Sequence, residues 1–253
     1  MTQVVERRNR IVAQVNQQGV LSFAELMKQF PEVSEMTLRK DLKYLDGAGQ
    51  IIRVHGGARS IETISAGDTP LRQRLTVNVD KKREIARKAC SLVTPGSAIF
   101  LDSGSTMTEL SKIFPDLPCT VFTGGLSCLN ELCKLKEADV YVLGGKLNKN
   151  SLSVRDVAMA SMMDSLHFDL AFISVNGYTR SNGFTCRSSS RWELEKVVLR
   201  RSDKVVVLMD SDKVNVPNPF SVCMPQEVDI LVSDDGLPSQ LREELQAAGV
   251  TVL

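Results

Sequence analysis

Two hydrophobic rhythms divide the chain. Over roughly the first sixty residues, apolar positions recur at helical spacing in short stretches; beyond about residue 80 they gather into brief continuous runs separated by helical stretches. Val4, Ile11 and Val15 give Glu6–Gln17 one apolar face, and Gln18-Gly19 ends that stretch. Ser22 with Glu25 three residues on forms a capping-box pattern, and Ala24, Leu26, Met27 and Phe30 supply the apolar side of a second short helix, which Pro31 stops. Ser34 opens a third, with Leu38, Leu42 and Leu45 on one face and Met36, Arg39, Lys40 and Lys43 on the opposite one; Gly47 and Gly49 terminate it. Ile51-Ile52-Arg53-Val54 reads as a strand and His55-Gly56-Gly57 as a tight turn requiring positive φ. Three helices and a small β wing predict a winged helix-turn-helix over residues 1–59.

Residues 60–79, rich in Ser, Thr, Gly and Arg, read as a linker. Residues 80–253 then alternate. Apolar strand candidates fall at Ala98–Leu101, Thr120–Thr123, Val140–Leu143, Leu170–Val175, Val205–Met209, Ile230–Val232 and Val250–Leu253. Helical stretches lie between several of them, at Thr106–Phe114, Leu126–Leu135, Trp192–Arg201 and Leu237–Ala248. Continuous apolar strands alternating with helices predict an α/β domain with a mostly parallel sheet covered on both faces.

Charge sharpens the division. Residues 1–59 hold nine Lys/Arg and six Asp/Glu, whereas the remainder holds 22 basic and 24 acidic residues, so a basic head precedes a near-neutral body. Composition excludes other classes. No run of about 18 apolar residues exists to span a membrane and no apolar signal core follows the first charges, so a cytoplasmic protein is expected. The six cysteines are scattered without a Cys-x-x-Cys pair and there are two histidines, so no metal site is expected and the thiols read as reduced core residues. No cofactor is indicated.

The third helix carries the chemistry of the head. A major groove admits one α-helix whose exposed side chains meet base edges. Glu35, Met36 and Thr37, near its start, are placed to touch bases, and Arg39 and Lys40 to reach guanine or phosphates, with Lys43 continuing the basic ridge. Arg53 and Arg59 flank the wing; His55 reads as ordering it, and Asp41 as an internal hydrogen-bond partner. In the larger domain ligands are expected at the carboxyl ends of the strands. After the first strand, Asp102-Ser103-Gly104-Ser105-Thr106 opens a helix with small residues, leaving backbone N–H groups and the helix dipole to an anion; side-chain capping by Ser105 or Thr106 is the alternative. Thr123 after the second strand, Gly145 and Lys146 after the third, and Lys213 are expected on the same rim.

Two segments then carry a resemblance. Val33-Ser34-Glu35-Met36-Thr37-Leu38-Arg39-Lys40-Asp41-Leu42, followed by Leu45, Gly49 and Arg53-Val54-His55-Gly56-Gly57-Ala58, is similar to the signature of the DeoR family of bacterial regulators. Leu101–Thr106, Gly144-Gly145, Asp169–Ile173, Gly183–Thr185 and Asp210–Lys213 follow in the family's order. The resemblance implies a sensor similar to ribose-5-phosphate isomerase that binds a phosphorylated sugar or related metabolite, operator DNA as partner, typically repression of a carbohydrate operon relieved by ligand, and a homo-oligomer. The chain departs from the family pattern at Met107, Gly124 and Arg155 and in the basic segment Arg187-Ser188-Ser189-Ser190-Arg191; Arg155, Arg187 and Arg191 are candidates to read an extra acidic group on the ligand, with a solvated surface loop as the first expectation. Two rivals stand beside this reading. One is an isomerase-like enzyme, disfavoured because Val175-Asn176-Gly177 offers no carboxylate base where such enzymes carry an acidic motif. The other is a DNA-binding protein that answers to no ligand.

Overall fold

The leucine seam of the third predicted helix packs as the core of an independent head. In the computed structural model, which describes residues 3–18, 20–48, 50–54, 56–60, 70–154 and 157–253, the chain divides into two compact units, Met1–Asp68 and Thr69–Leu253. The head comprises α1 (Gln3–Gln18), β1 (Val20–Ser22), α2 (Phe23–Gln29), α3 (Glu35–Gly47), β2 (Ile51–Val54) and β3 (Gly57–Ser60). Leu38, Leu42 and Leu45 meet Ile11 and Val15 of α1, Leu26 and Phe30, Ile51 and Ala58 in one core. Val4, expected on the same apolar face, is 40% exposed, so α1 contributes only its central turns.

Both predicted caps form. Ser22 Oγ accepts from Glu25 N at 3.2 Å while Ser22 N donates to Glu25 Oε2 at 2.8 Å, and Ser34 Oγ accepts from Thr37 N at 3.3 Å. Ser22→Ala is expected to lower the head's stability by about 1 kcal/mol, seen as a lower midpoint of its thermal unfolding with the larger unit unchanged. The wing is a three-stranded antiparallel sheet in the order β1-β3-β2. Its first strand, a short segment before α2, is not apparent from hydrophobic pattern. Gly57 has to be glycine because β1 lies against it: a Cβ there would sit 2.1 Å from Leu21 O. Gly56 has the positive φ (81°) that the turn requires. Gly49, His55 and Arg155, and the linker stretch 61–69, lie outside the described residues.

The later part of the expected linker is folded. Leu71 is fully buried and its N–H donates to Asn150 O at 2.8 Å; it begins α4 (Leu71–Arg74), which leads into α5 (Val79–Cys90). One buried leucine in a polar stretch gives no periodic signal, which is why this segment reads as linker. The seven predicted strands all appear: β4 (Ala98–Leu101), β5 (Thr120–Thr123), β6 (Asp139–Val142), β9 (Leu170–Ser174), β12 (Val205–Leu208), β14 (Ile230–Val232) and β15 (Thr251–Val252). They form one sheet, in the order β15-β14-β12-β9-β4-β5-β6, in which every pairing is parallel. Apolar clusters cover both faces. The helices α6 (Ser105–Lys112), α7 (Leu126–Leu132), α9 (Ser189–Arg200) and α10 (Ser239–Ala247) match the predicted ones to within a few residues at each end. Two features are new: α8 (Val157–Met163) with a hairpin of β7 (Leu147–Asn148) and β8 (Ser153–Val154), and a second, antiparallel sheet of β10 (Gly177–Thr179), β11 (Gly183–Cys186) and β13 (Phe220–Cys223).

The strand order locates the site. From β4 the chain steps outward to β5 and β6, then returns to β9 on the other side of β4 and continues outward to β12, β14 and β15. The order reverses between β4 and β9, so the crevice that a ligand can enter opens at the carboxyl ends of those two strands.

Candidate functional sites

On the head, α3 presents the face the sequence predicts. Met36 is 68% exposed, and Arg39, Lys40 and Lys43 are exposed beside it. Arg39 is engaged locally: Nη2 lies 2.7 Å from Glu35 Oε1 and the guanidinium stands 4.4 Å from the Phe23 ring centre. An exposed i,i+4 pair of this kind is worth only about 0.3–0.5 kcal/mol, so DNA can take the arginine from it at little cost. The Thr37 hydroxyl is 2.9 Å from Ser34 Oγ within the cap, so its first role is to start the helix. Asp41 is the internal partner expected: it is buried and accepts from Arg7 Nε at 2.6 Å and Arg8 Nε at 2.7 Å, tying α1 to α3. Tyr44, which sequence reading passes over, is exposed on α3 with the Arg8 guanidinium 3.7 Å from its ring centre. Its spacing from Lys40 and Met36, four and eight residues, is the signal that marks it. Arg53 is exposed on β2, and Arg59 lies in β3.

The second unit holds a cavity of about 380 Å³ at the predicted crevice. Its floor is the rim of the parallel sheet. Gly104 (φ 128°) caps α6 with no side-chain cap bond, leaving Ser105 and Thr106 on the cavity wall at the first turn of the helix. The φ of Gly104 lies where L side chains rarely go, which is what glycine there accommodates; the Arg74 guanidinium stands in ordinary van der Waals reach of the position. Ser174 ends β9 with Val175 and Asn176 after it, and Asp210, Asp212 and Lys213 follow β12. A second wall comes from α4 and α5, with Arg74, Asn78 and Lys82; a third from Arg187 and Arg191.

Electrostatics favour an anion here. Lys213 Nζ is 3.2 Å from Asp210 Oδ2. Burial holds its pKa below the usual lysine range; Asp210 opposes that shift, while the cations Arg191 and Arg74 reinforce it. Lys82 is lowered too, by burial first and by Lys213 next, and its ammonium donates to the carbonyls of Arg74 and Val77. Two buried ammonium groups and the start of a helix converge on one space, a geometry that can hold an anion.

The comparisons with known proteins bear on both units. A DeoR-like helix-turn-helix domain model matches residues 7–64, and a DeoR C terminal sensor domain model matches residues 77–235. The chain belongs to the DeoR family. Among its relatives is the HTH-type transcriptional regulator GolR of Listeria innocua, 31% identical over 98% of this chain and 97% of that one. The putative aga operon transcriptional repressor of Escherichia coli O157:H7 is 27% identical over 100% and 94%, and the lactose phosphotransferase system repressor of Streptococcus mutans 28% over 90% and 91%. Among solved structures, a ribose 5-phosphate isomerase from Methanocaldococcus jannaschii is similar at TM-score 0.40 and 19% identity over 54% of this chain and 55% of that one. The protein is a DeoR-family transcriptional regulator, not an enzyme.

Within this DeoR sensor the expected rim residues separate. Ser105, Thr106 and Lys213 line the cavity and Gly104 shapes it. Asp102 does not face it: 3% exposed, it accepts from Ser174 N at 3.2 Å and from Arg191 Nη2 at 2.8 Å, as a counter-ion beneath the wall. Thr123 is fully buried and its Oγ1 accepts from Gly125 N at 3.1 Å, fixing the turn after β5. Gly145 and Lys146 follow β6, two strands from the switch point, and Lys146 lines a separate hollow with residues 147–150 and Ser190. Succession in sequence places them after a third strand, but the spatial order carries that strand to the sheet edge. Arg191 corrects the expectation of a solvated loop. It stands in the first turn of α9, 1% exposed, between Asp102 and Glu195 Oε1 (2.7 Å). Arg74, Asn78 and Lys82 are the cavity residues that sequence reading missed; they lie in or next to the stretch read as linker.

Proposed function

We propose that this protein represses a carbohydrate-utilisation operon as a homo-oligomer, and that the cavity at the β4–β9 switch point takes a phosphorylated sugar whose binding releases operator DNA. The observation that carries the reading is the convergence of the α6 N-terminus, with Ser105 and Thr106, on Lys213, Lys82 and Arg74. A phosphate offers three acceptor oxygens and about −1.5 to −2 charges at pH 7, which suits backbone N–H groups and clustered cations. The relatives named for aga and lactose systems support the substrate class. Two heads on one assembly meet half-sites one turn of the double helix apart, the geometry for which a helix-turn-helix dimer is suited. Asn176, on the cavity wall, accepts from Arg191 Nη1 at 3.3 Å and supplies no base, in keeping with binding rather than turnover.

The test is calorimetric titration of the full chain with sugar phosphates, alongside operator binding. Ser105→Glu places a carboxylate where the phosphate sits; it is expected to abolish ligand binding and ligand-induced release while leaving operator affinity unchanged. A variant that still responds puts the ligand elsewhere. Lys213 gives a pH signature. Its ammonium attracts the ligand only while protonated, so affinity is full below its pKa and falls as pH rises through it. Because burial lowers that pKa, the fall comes at lower pH than for an ordinary lysine. In Lys213→Met this fall is expected to disappear together with part of the affinity, as titrations across alkaline pH would record.

A further inference from the structure

One wall of the cavity is made by the stretch of chain that follows the linker. Gln73, Arg74, Val77 and Asn78, all within residues 70–78, line it. The stretch is pinned at both ends. Leu71 is fully buried and its N–H donates to Asn150 O at 2.8 Å. Asn78 holds a left-handed conformation (φ 52°), and its Nδ2 donates to Asp212 Oδ2 at 2.8 Å and Asp210 Oδ1 at 3.3 Å. The turn between these ends leaves Val77 55% exposed. Lys82 ties that turn to α5. It stands in the first turn of the helix, 4% exposed, and its ammonium donates to Arg74 O at 2.6 Å and to Val77 O.

An ammonium carries three N–H donors. Two of those on Lys82 go to carbonyls of the turn, and Lys82 also lines the cavity, so the third serves an anion bound there. Lys213 and Arg74 repel the Lys82 ammonium, against the attraction of Asp210 and Glu109. An anion shared among these cations fixes the ammonium in place, the two carbonyls keep their donor, and the turn opens less readily. We propose that Lys82 is a positioning residue that couples the cavity to the head: the anion it holds locks the turn after α4, and with it the stretch 70–78 that continues from the linker. A ligand acts at a distance only through interactions that differ between two states, and these bonds supply the difference on the one wall that is continuous in sequence with the DNA-binding unit. The inference rests on the reading of the cavity as a sugar-phosphate site and adds how its occupancy is passed on.

The experiment separates binding from coupling. The probe is whichever pentose or hexose monophosphate binds the full chain most tightly by calorimetry. Fluorescence anisotropy then gives the ratio of operator affinities without the probe and at saturation with it. In the parent this ratio is expected to be about 5 to 150, the usual range of coupling between sites. Lys82→Gln is expected to bind the probe more weakly and, once saturated, to show a ratio below about 2. A residue that contributes affinity alone would raise the probe's Kd and leave the ratio at saturation unchanged, and that result overturns the proposal. Hydrogen exchange on the parent keeps the proposal testable should the glutamine variant fail to fold: the amides of Thr76, Val77 and Asn78 are expected to exchange more slowly with the probe bound, and unchanged exchange there overturns it. A probe that binds the parent and leaves operator affinity as it was overturns the coupling while the sugar-phosphate site stands. Failure of every monophosphate to bind overturns the reading beneath, and this proposal with it.

Discussion

Arg191→Met is expected to destabilise the sensor unit by roughly 3–5 kcal/mol at neutral pH, because it removes the cation between two carboxylates that water does not reach. Asp102 and Glu195 are 3% and 1% exposed, and Arg191 reaches both, at 2.8 and 2.7 Å. Arg191 also donates to the carbonyl and hydroxyl of Ser174, so its loss strips partners from the end of β9 as well. Methionine fills much of the volume but answers none of the charge. The triple change Arg191→Met, Asp102→Asn, Glu195→Gln should recover most of the loss, because paired removal of buried charges is often close to neutral. Urea unfolding of the three proteins at neutral pH measures both effects. A single variant as stable as the parent would show that the guanidinium is not an essential counter-ion.

That arginine also shows where sequence reading stops. The segment Arg187-Ser188-Ser189-Ser190-Arg191 reads as solvated because charge and hydroxyls ordinarily face water, and nothing local says otherwise. The partner that draws Arg191 inside is Asp102, 89 positions away, and only the return of β9 to the side of β4 brings the two together. The same limit accounts for Gly145 and Lys146: each strand end was visible, but its place across the sheet was not. What depends on nearest neighbours in sequence was legible. Ser22 and Ser34 cap as predicted, the leucines of α3 are buried, Gly56 takes its positive φ, and all seven parallel strands appear. The α6 loop was legible as a helix start at the crevice because its signal is local as well: small residues, then a helix, directly after an apolar strand. The antiparallel sheet was not, since β10 and β11 are three or four residues of glycine, threonine, a single aromatic each and, in β11, a cysteine, too short for an apolar run.

Arg39→Ala is expected to weaken operator binding by about 1–3 kcal/mol, or roughly 5- to 150-fold, and to relax preference at one base pair. The size follows from what the side chain gives up and what it gains. Its pairing with Glu35 is exposed and its stacking on Phe23 is at the surface, so leaving them costs little. Two hydrogen bonds to a guanine edge in a dehydrated groove are worth considerably more. The helix itself should change little, because Arg39 is exposed while Leu38, Leu42 and Leu45 are buried, and alanine is a better helix former. Lys43→Ala should behave differently although it lies one turn away. A lysine on phosphate releases counterions without reading sequence, so its loss should weaken cognate and random DNA alike and reduce the slope of log K against log salt by about 0.9. Fluorescence anisotropy on operator and scrambled duplexes across a salt series separates the two. If Arg39→Ala lost affinity equally on both duplexes, Arg39 would be a phosphate contact and base reading would fall to Met36, Lys40 or Tyr44. If it lost none, α3 would not be the helix in the groove.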